Sequence, residues 1–98
     1  MTTWFVSRHP GALQWLEQQG IHVDRCVAHL DPALLAPGDT VIGTLPVHLA
    51  AEVCAKNGRY LHLSLTVPEN MRGSELAIED MQACNARLEP FLVARLDS

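Results

Sequence analysis

The segment Thr40-Val41-Ile42-Gly43 leaves this chain few folds to choose from. It is short, β-branched and near-continuously apolar, so a strand there needs cover on both faces, as in a parallel sheet lying between helical layers. Pro37-Gly38-Asp39 punctuates the chain before it, and Pro46 opens a helix after it. In that helix Leu49, Ala50, Val53 and Cys54 form one apolar stripe, His48, Glu52 and Lys56 share the other face, and Asn57-Gly58 ends it. A strand leading at once into an amphipathic helix is half of a βαβ crossover.

The rest of the chain repeats the alternation. Trp4 to Ser7 reads as a buried strand, followed by a helix with Pro10 in its first turn, Leu13 and Leu16 on one face, and Gly20 as its stop. Ile21 to Leu30 is a second apolar run around Val23, Cys26 and Val27. Asp31-Pro32 and Ala36 to Asp39 are turns, with a one-turn helix at Pro32 to Leu35 between them. Arg59 to Leu65 is a strand in which Tyr60, His62 and Ser64 alternate with Leu61, Leu63 and Leu65, as expected near an edge or an interface. Ser74 caps a helix running to about Asn85, with Glu75, Glu79 and Asp80 near its positive end, and Phe91 to Ala94 closes as a strand. The order β-α-β-β-α-β-α-β predicts one α/β domain over residues 1–98, Rossmann-like, with a mostly parallel sheet of about five strands sandwiched by helices.

Composition narrows the function. With 48% hydrophobic and 18% charged residues the chain folds, yet no window approaches the roughly 20 apolar residues that span a bilayer. The opening Met1 to Val6 carries no basic region, and the expected home is the cytoplasm. Cys26, Cys54 and Cys84 are odd in number and widely spaced, which predicts reduced core thiols. The net charge of -4 argues against coating a long nucleic acid but leaves room for a compact anion held in a local pocket. The five histidines show no metal-ligand spacing, and neither a metal nor another cofactor is expected.

Two corners share one grammar. Phe5-Val6-Ser7-Arg8-His9-Pro10 and Val41-Ile42-Gly43-Thr44-Leu45-Pro46 each run from apolar strand through turn residues to a helix-opening proline. If the two strands are neighbours, as in a 2-1-3-4-5 order, the corners flank the topological switch point where open α/β sheets bind ligands. Helix N-termini there offer backbone N–H groups to a phosphate. Ser7, Arg8, His9, Gly43, Thr44 and Leu45 are then the candidate site. The Arg8 guanidinium suits a bidentate phosphate clamp, and a His9 kept neutral near a helix N-terminus suits general-base work.

These corners, together with His29-Leu30-Asp31, the run Gly38-Asp39-Thr40-Val41-Ile42-Gly43-Thr44-Leu45-Pro46-Val47, Ala50 to Cys54 and Tyr60 to Leu63, resemble one known family. It is the small stand-alone type III CRISPR-associated ring nucleases, and the likeness covers nearly the whole chain, with Ser7 in the place of an expected Thr. The resemblance implies a domain similar to the ligand-sensing CARF domains of CRISPR defence. It implies a symmetric homodimer that degrades cyclic tetra-adenylate by metal-independent attack of a ribose 2′-hydroxyl on the adjacent phosphate, leaving a 2′,3′-cyclic phosphate. In that chemistry Arg8, backbone N–H groups and Thr44 stabilise the phosphoryl charge and His9 is the acid or base. Arg72, in the turn-rich Pro68 to Gly73 segment, reads first as a solvated loop side chain and second as a lid contact, and His48 is either a second proton-transfer candidate or a surface residue. The alternative is a module that binds the cyclic nucleotide without cutting it.

Overall fold

The strand expected at Thr40–Gly43 forms, and it occupies the centre of the sheet. The computed structural model describes residues 1–7, 10–66 and 78–96. Along these the chain forms β1 (Thr3–Val6), α1 (Pro10–Gln18), β2 (Arg25–Val27), a 3-10 turn (Pro32–Leu34), β3 (Thr40–Gly43) and α2 (Val47–Ala55). It continues through β4 (Arg59–Ser64), α3 (Ile78–Ala83) and β5 (Arg87–Phe91). The strand order is β2-β1-β3-β4-β5, with β5 antiparallel to β4 and every other pair parallel. This is the expected mostly parallel α/β sandwich.

Why β3 needed two apolar faces is now visible. Successive side chains of a strand point to opposite faces, and Val41 and Ile42, both fully buried, join different clusters. Ile42 packs with Phe5, Leu63, the α1 residues Ala12, Trp15 and Leu16, and Met81 of α3. Val41 packs with Trp4, Tyr60 and the α2 residues Ala50 and Val53. Thus α1 and α3 cover one face and α2 covers the other.

The end of the sheet where the parallel strands begin is fastened by carboxylates. Buried Asp39 accepts from Thr2 N and Ala36 N at 2.9 and 3.0 Å and from Trp4 Nε1 at 3.2 Å. Asp24 accepts from Thr3 N at 2.8 Å.

Several expectations are corrected. The last strand is Arg87–Phe91, not Phe91 to Ala94, because β4 starts at Arg59 and Phe91 already pairs with Tyr60. The chain beyond has no β4 backbone to pair with, and Val93 instead donates its N–H to Cys54 Sγ at 3.4 Å. For the same reason β4 is an interior strand rather than an edge: β5 folds back over its open side. Cys26 is exposed, not core, because β2 is the outermost strand and has a neighbour on one side only. Cys54 is half-buried and Cys84 buried, and all three thiols are free. Pro46 is the N-cap of α2 rather than its first residue. The helix expected from Ser74 is described from Ile78 onward. No helix among the described residues is long and apolar enough to cross a membrane.

Candidate functional site

Four parallel strands deliver their C-terminal ends to one rim of the sheet. Between β1 and β3 the winding reverses: β1 leads through α1 to β2 on one side, and β3 leads through α2 to β4 on the other, with the two helices on opposite faces. Adjacent crossovers diverging to opposite faces leave a crevice at their shared strand ends. Val6 and Gly43 are register partners, so the two proline corners leave the sheet from neighbouring strands.

A cavity of about 740 Å³ opens at that point. Its walls are Val6 and Ser7 at the end of β1, Ala28 to Leu30 after β2, Thr44 to Pro46 after β3, Leu49 of α2, and His62, Leu63 and Leu65 at the end of β4. Both corners therefore face the same space. The walls are mainly apolar, with Ser7, His29, Thr44 and His62 as the polar side chains, and the described wall carries no carboxylate. Among the described residues no three His, Cys, Asp or Glu side chains group as metal ligands.

The expected site residues are placed as follows. Ser7, Thr44 and Leu45 lie on the wall, whereas Gly43 is buried and is not a wall residue. A Cβ on Gly43 would meet Val6 O at 2.7 Å, so glycine there permits β1 and β3 to approach at their ends. His48 is exposed on the first turn of α2 and is not a wall residue. Arg8, His9 and Arg72 lie outside the described residues. Two donors assigned to a ligand are already in use: the Thr44 hydroxyl donates to Leu63 O at 3.0 Å, and Leu45 N–H donates to the Tyr60 hydroxyl at 3.0 Å.

Sequence reasoning missed a junction centred on Tyr60. This buried side chain lies under the second corner, and besides receiving Leu45 N–H its hydroxyl donates to Gly43 O at 3.1 Å. His62 Nδ1 lies 2.6 Å from the same oxygen. Burial pushes the Tyr60 hydroxyl above the ordinary phenol range, the Leu45 bond opposes this, and neighbouring Cys54 adds to the rise. The period-two spacing of Tyr60 and His62 put them on one face of the strand, but no sequence signal tied a strand tyrosine to a turn backbone contributed by another strand.

A sequence profile built for the family described as "Putative CRISPR-associated protein (Cas_VVA1548)" matches residues 4–94. The chain belongs to this CRISPR-associated family. The match runs from β1 through the residues after β5, so the Cas_VVA1548 family signature includes the sheet, both corners and the cavity walls. Comparison with curated proteins and with solved structures finds no match.

Proposed function

We propose that this CRISPR-associated protein is a ring nuclease that binds cyclic tetra-adenylate and cleaves it to linear products with 2′,3′-cyclic phosphate ends, thereby switching off type III CRISPR antiviral signalling. The observation that carries the reading is that the ends of both strands, through Ser7 and through Thr44 to Pro46, line one cavity whose described wall carries no carboxylate, at the switch point of a CRISPR-associated α/β domain. Arg8, next to Ser7 in the sequence, is assigned to clamp the scissile phosphate. His9 is assigned to proton transfer, Ser7, Thr44 and Leu45 to the ligand-facing wall and Arg72 to a ligand contact, while Gly43 shapes the corner from behind the wall and His48 stands outside it. No protein nucleophile is needed, because the attacking oxygen belongs to the substrate. The protein's task is to hold that oxygen in line and to stabilise charge on the phosphoryl oxygens.

The size of the cavity supports a two-fold homodimer. About 740 Å³ is the space of one drug-sized ligand, the usual range being roughly 300–1,000 Å³. A ring of four nucleotides is larger than that, so two facing copies would enclose it between them, each supplying one set of site residues.

Incubating the protein with labelled cyclic tetra-adenylate in EDTA tests the reading. The expected result is linear adenylate with cyclic phosphate ends, formed at least about 100-fold more slowly by Arg8→Ala and His9→Ala, as loss of a charge clamp or an acid–base group predicts. A ring that stays intact under excess enzyme overturns the nuclease assignment, and a ring that is bound but intact identifies a binding module instead.

A further inference from the structure

The proposed reaction needs a base for the 2′-hydroxyl and an acid for the departing 5′-oxygen, on opposite sides of the phosphate, and His9 supplies one of them. The end of β4 offers a second imidazole. His62 is half-buried on the cavity wall, its Nδ1 is held by Tyr60, and its ring stands edge-to-face against Phe91 with centroids 5.6 Å apart and planes at 89°. Nε2 has no protein partner among the described residues. This ring is clamped on the sheet and leaves one nitrogen for a ligand.

The hydrogen-bond count points to the nitrogen that carries the proton. A tyrosine hydroxyl has one hydrogen to give and two lone pairs to receive. Its hydrogen goes to Gly43 O and one lone pair receives Leu45 N–H, so the remaining lone pair faces His62 Nδ1. With all three contacts made as hydrogen bonds, Nδ1 is the donor, and in the neutral ring Nε2 is then unprotonated. Free imidazole side chains in water favour the other tautomer, with the proton on Nε2, so Tyr60 selects the form that can accept a proton.

We propose that His62 is a catalytic proton acceptor of the ring-cleaving reaction and that Tyr60 is its positioning residue, setting the tautomer through Nδ1. This rests on the ring nuclease reading. The 2′-hydroxyl gives its proton to His62 Nε2 as the bond from 2′-oxygen to phosphorus forms. The bond from phosphorus to the 5′-oxygen breaks, and that oxygen leaves with the electron pair and takes a proton from His9, which acts here in its protonated, imidazolium form. Both imidazoles then exchange protons with solvent, so nothing is consumed. The titratable and charged groups facing His62 are Tyr60 on its own strand, its direct register partner Glu89 on β5 with the ion-paired Arg87, and His29 on the cavity wall.

Two measurements on the full chain test this. The first is the ring-nitrogen NMR spectrum near neutral pH. His62 is expected to show a protonated Nδ1 and a bare Nε2 in the parent, and to revert to the Nε2-protonated form in Tyr60→Phe. A parent His62 already protonated on Nε2 overturns the proposal whatever the enzyme does. The second is single-turnover cleavage of cyclic tetra-adenylate against pH. His62→Asn is expected to lose about 100-fold in rate, the scale of general-base catalysis, with ring affinity changed less than about threefold, less than one tenfold step of binding energy. Its pH profile is expected to lose the limb set by an imidazole. Parent-like cleavage by His62→Asn overturns the role of His62 and leaves the ring nuclease reading intact. A parent that never cleaves the ring overturns both.

Discussion

Asp39 and Tyr60 show how one buried polar side chain can organise a small sheet, one at each end. Asp39 gathers two backbone amides and the Trp4 indole, and the amides of Thr2 and Ala36 hold its carboxyl below the usual carboxylate range against the opposing effect of burial. Asp24 is lowered in the same direction, chiefly by Thr3 N–H. A carboxyl with a folded pKa below its unfolded value of about 3.9 contributes stability that is present above that value and lost as pH falls through the folded one. The urea midpoint should therefore hold steady from about pH 7 to pH 5 and fall below about pH 4. In Asp39→Asn the midpoint should be lower at neutral pH and the acid slope shallower. An unchanged acid slope in that variant would move the effect to other carboxyl groups.

At the scale of elements, the meeting of β1 and β3 is the sensitive joint. Gly43 lets Val6 O come within 2.7 Å of where a Cβ would sit, and both the cavity and the Tyr60 contact to Gly43 O depend on that approach. Gly43→Ala should cost about 1–3 kcal/mol, the usual penalty for overfilling a packed contact. Denaturant unfolding checks it, and a change below about 0.5 kcal/mol, ordinary for an exposed site, would mean that β1 yields freely. Much of this layout was legible: the unbroken apolar run of Thr40–Gly43 called for two helical layers, and the 2-1-3-4-5 order that would make the two corners neighbours is the one that forms. The terminal strand was not, because Phe91-Leu92-Val93 looks like a strand while Pro90 discourages one; only pairing along β4 decides that the strand ends at Phe91. Cys26 was misread because an apolar run without alternation does not reveal whether it lies inside the sheet or at its margin. Asp39 sat in a turn signal that gave no hint of the indole and amides awaiting its carboxylate, and Arg8, His9 and Arg72 lie outside the described residues.

For the whole molecule, the sheet separates two jobs. The rim where the parallel strands start is tied by Asp24 and Asp39, and the opposite rim carries the cavity. Substitutions at the first should change stability with little effect on ligand chemistry, and those at the second the reverse. The proposed enclosure of a ring between two copies also predicts a solution mass twice the 10.8 kDa of one chain. Light scattering coupled to gel filtration reads this directly, and a strictly monomeric species with and without the ring would remove the shared-enclosure argument.

The margins of the sheet constrain how such copies meet. β2 is only three residues long, and β5 carries Pro90, which has no N–H to offer. A neighbouring molecule therefore finds no long row of amides on which to zip another strand, and runaway stacking of sheets is discouraged at both flanks. Association must be made by side chains, where a single substitution can tune or abolish it.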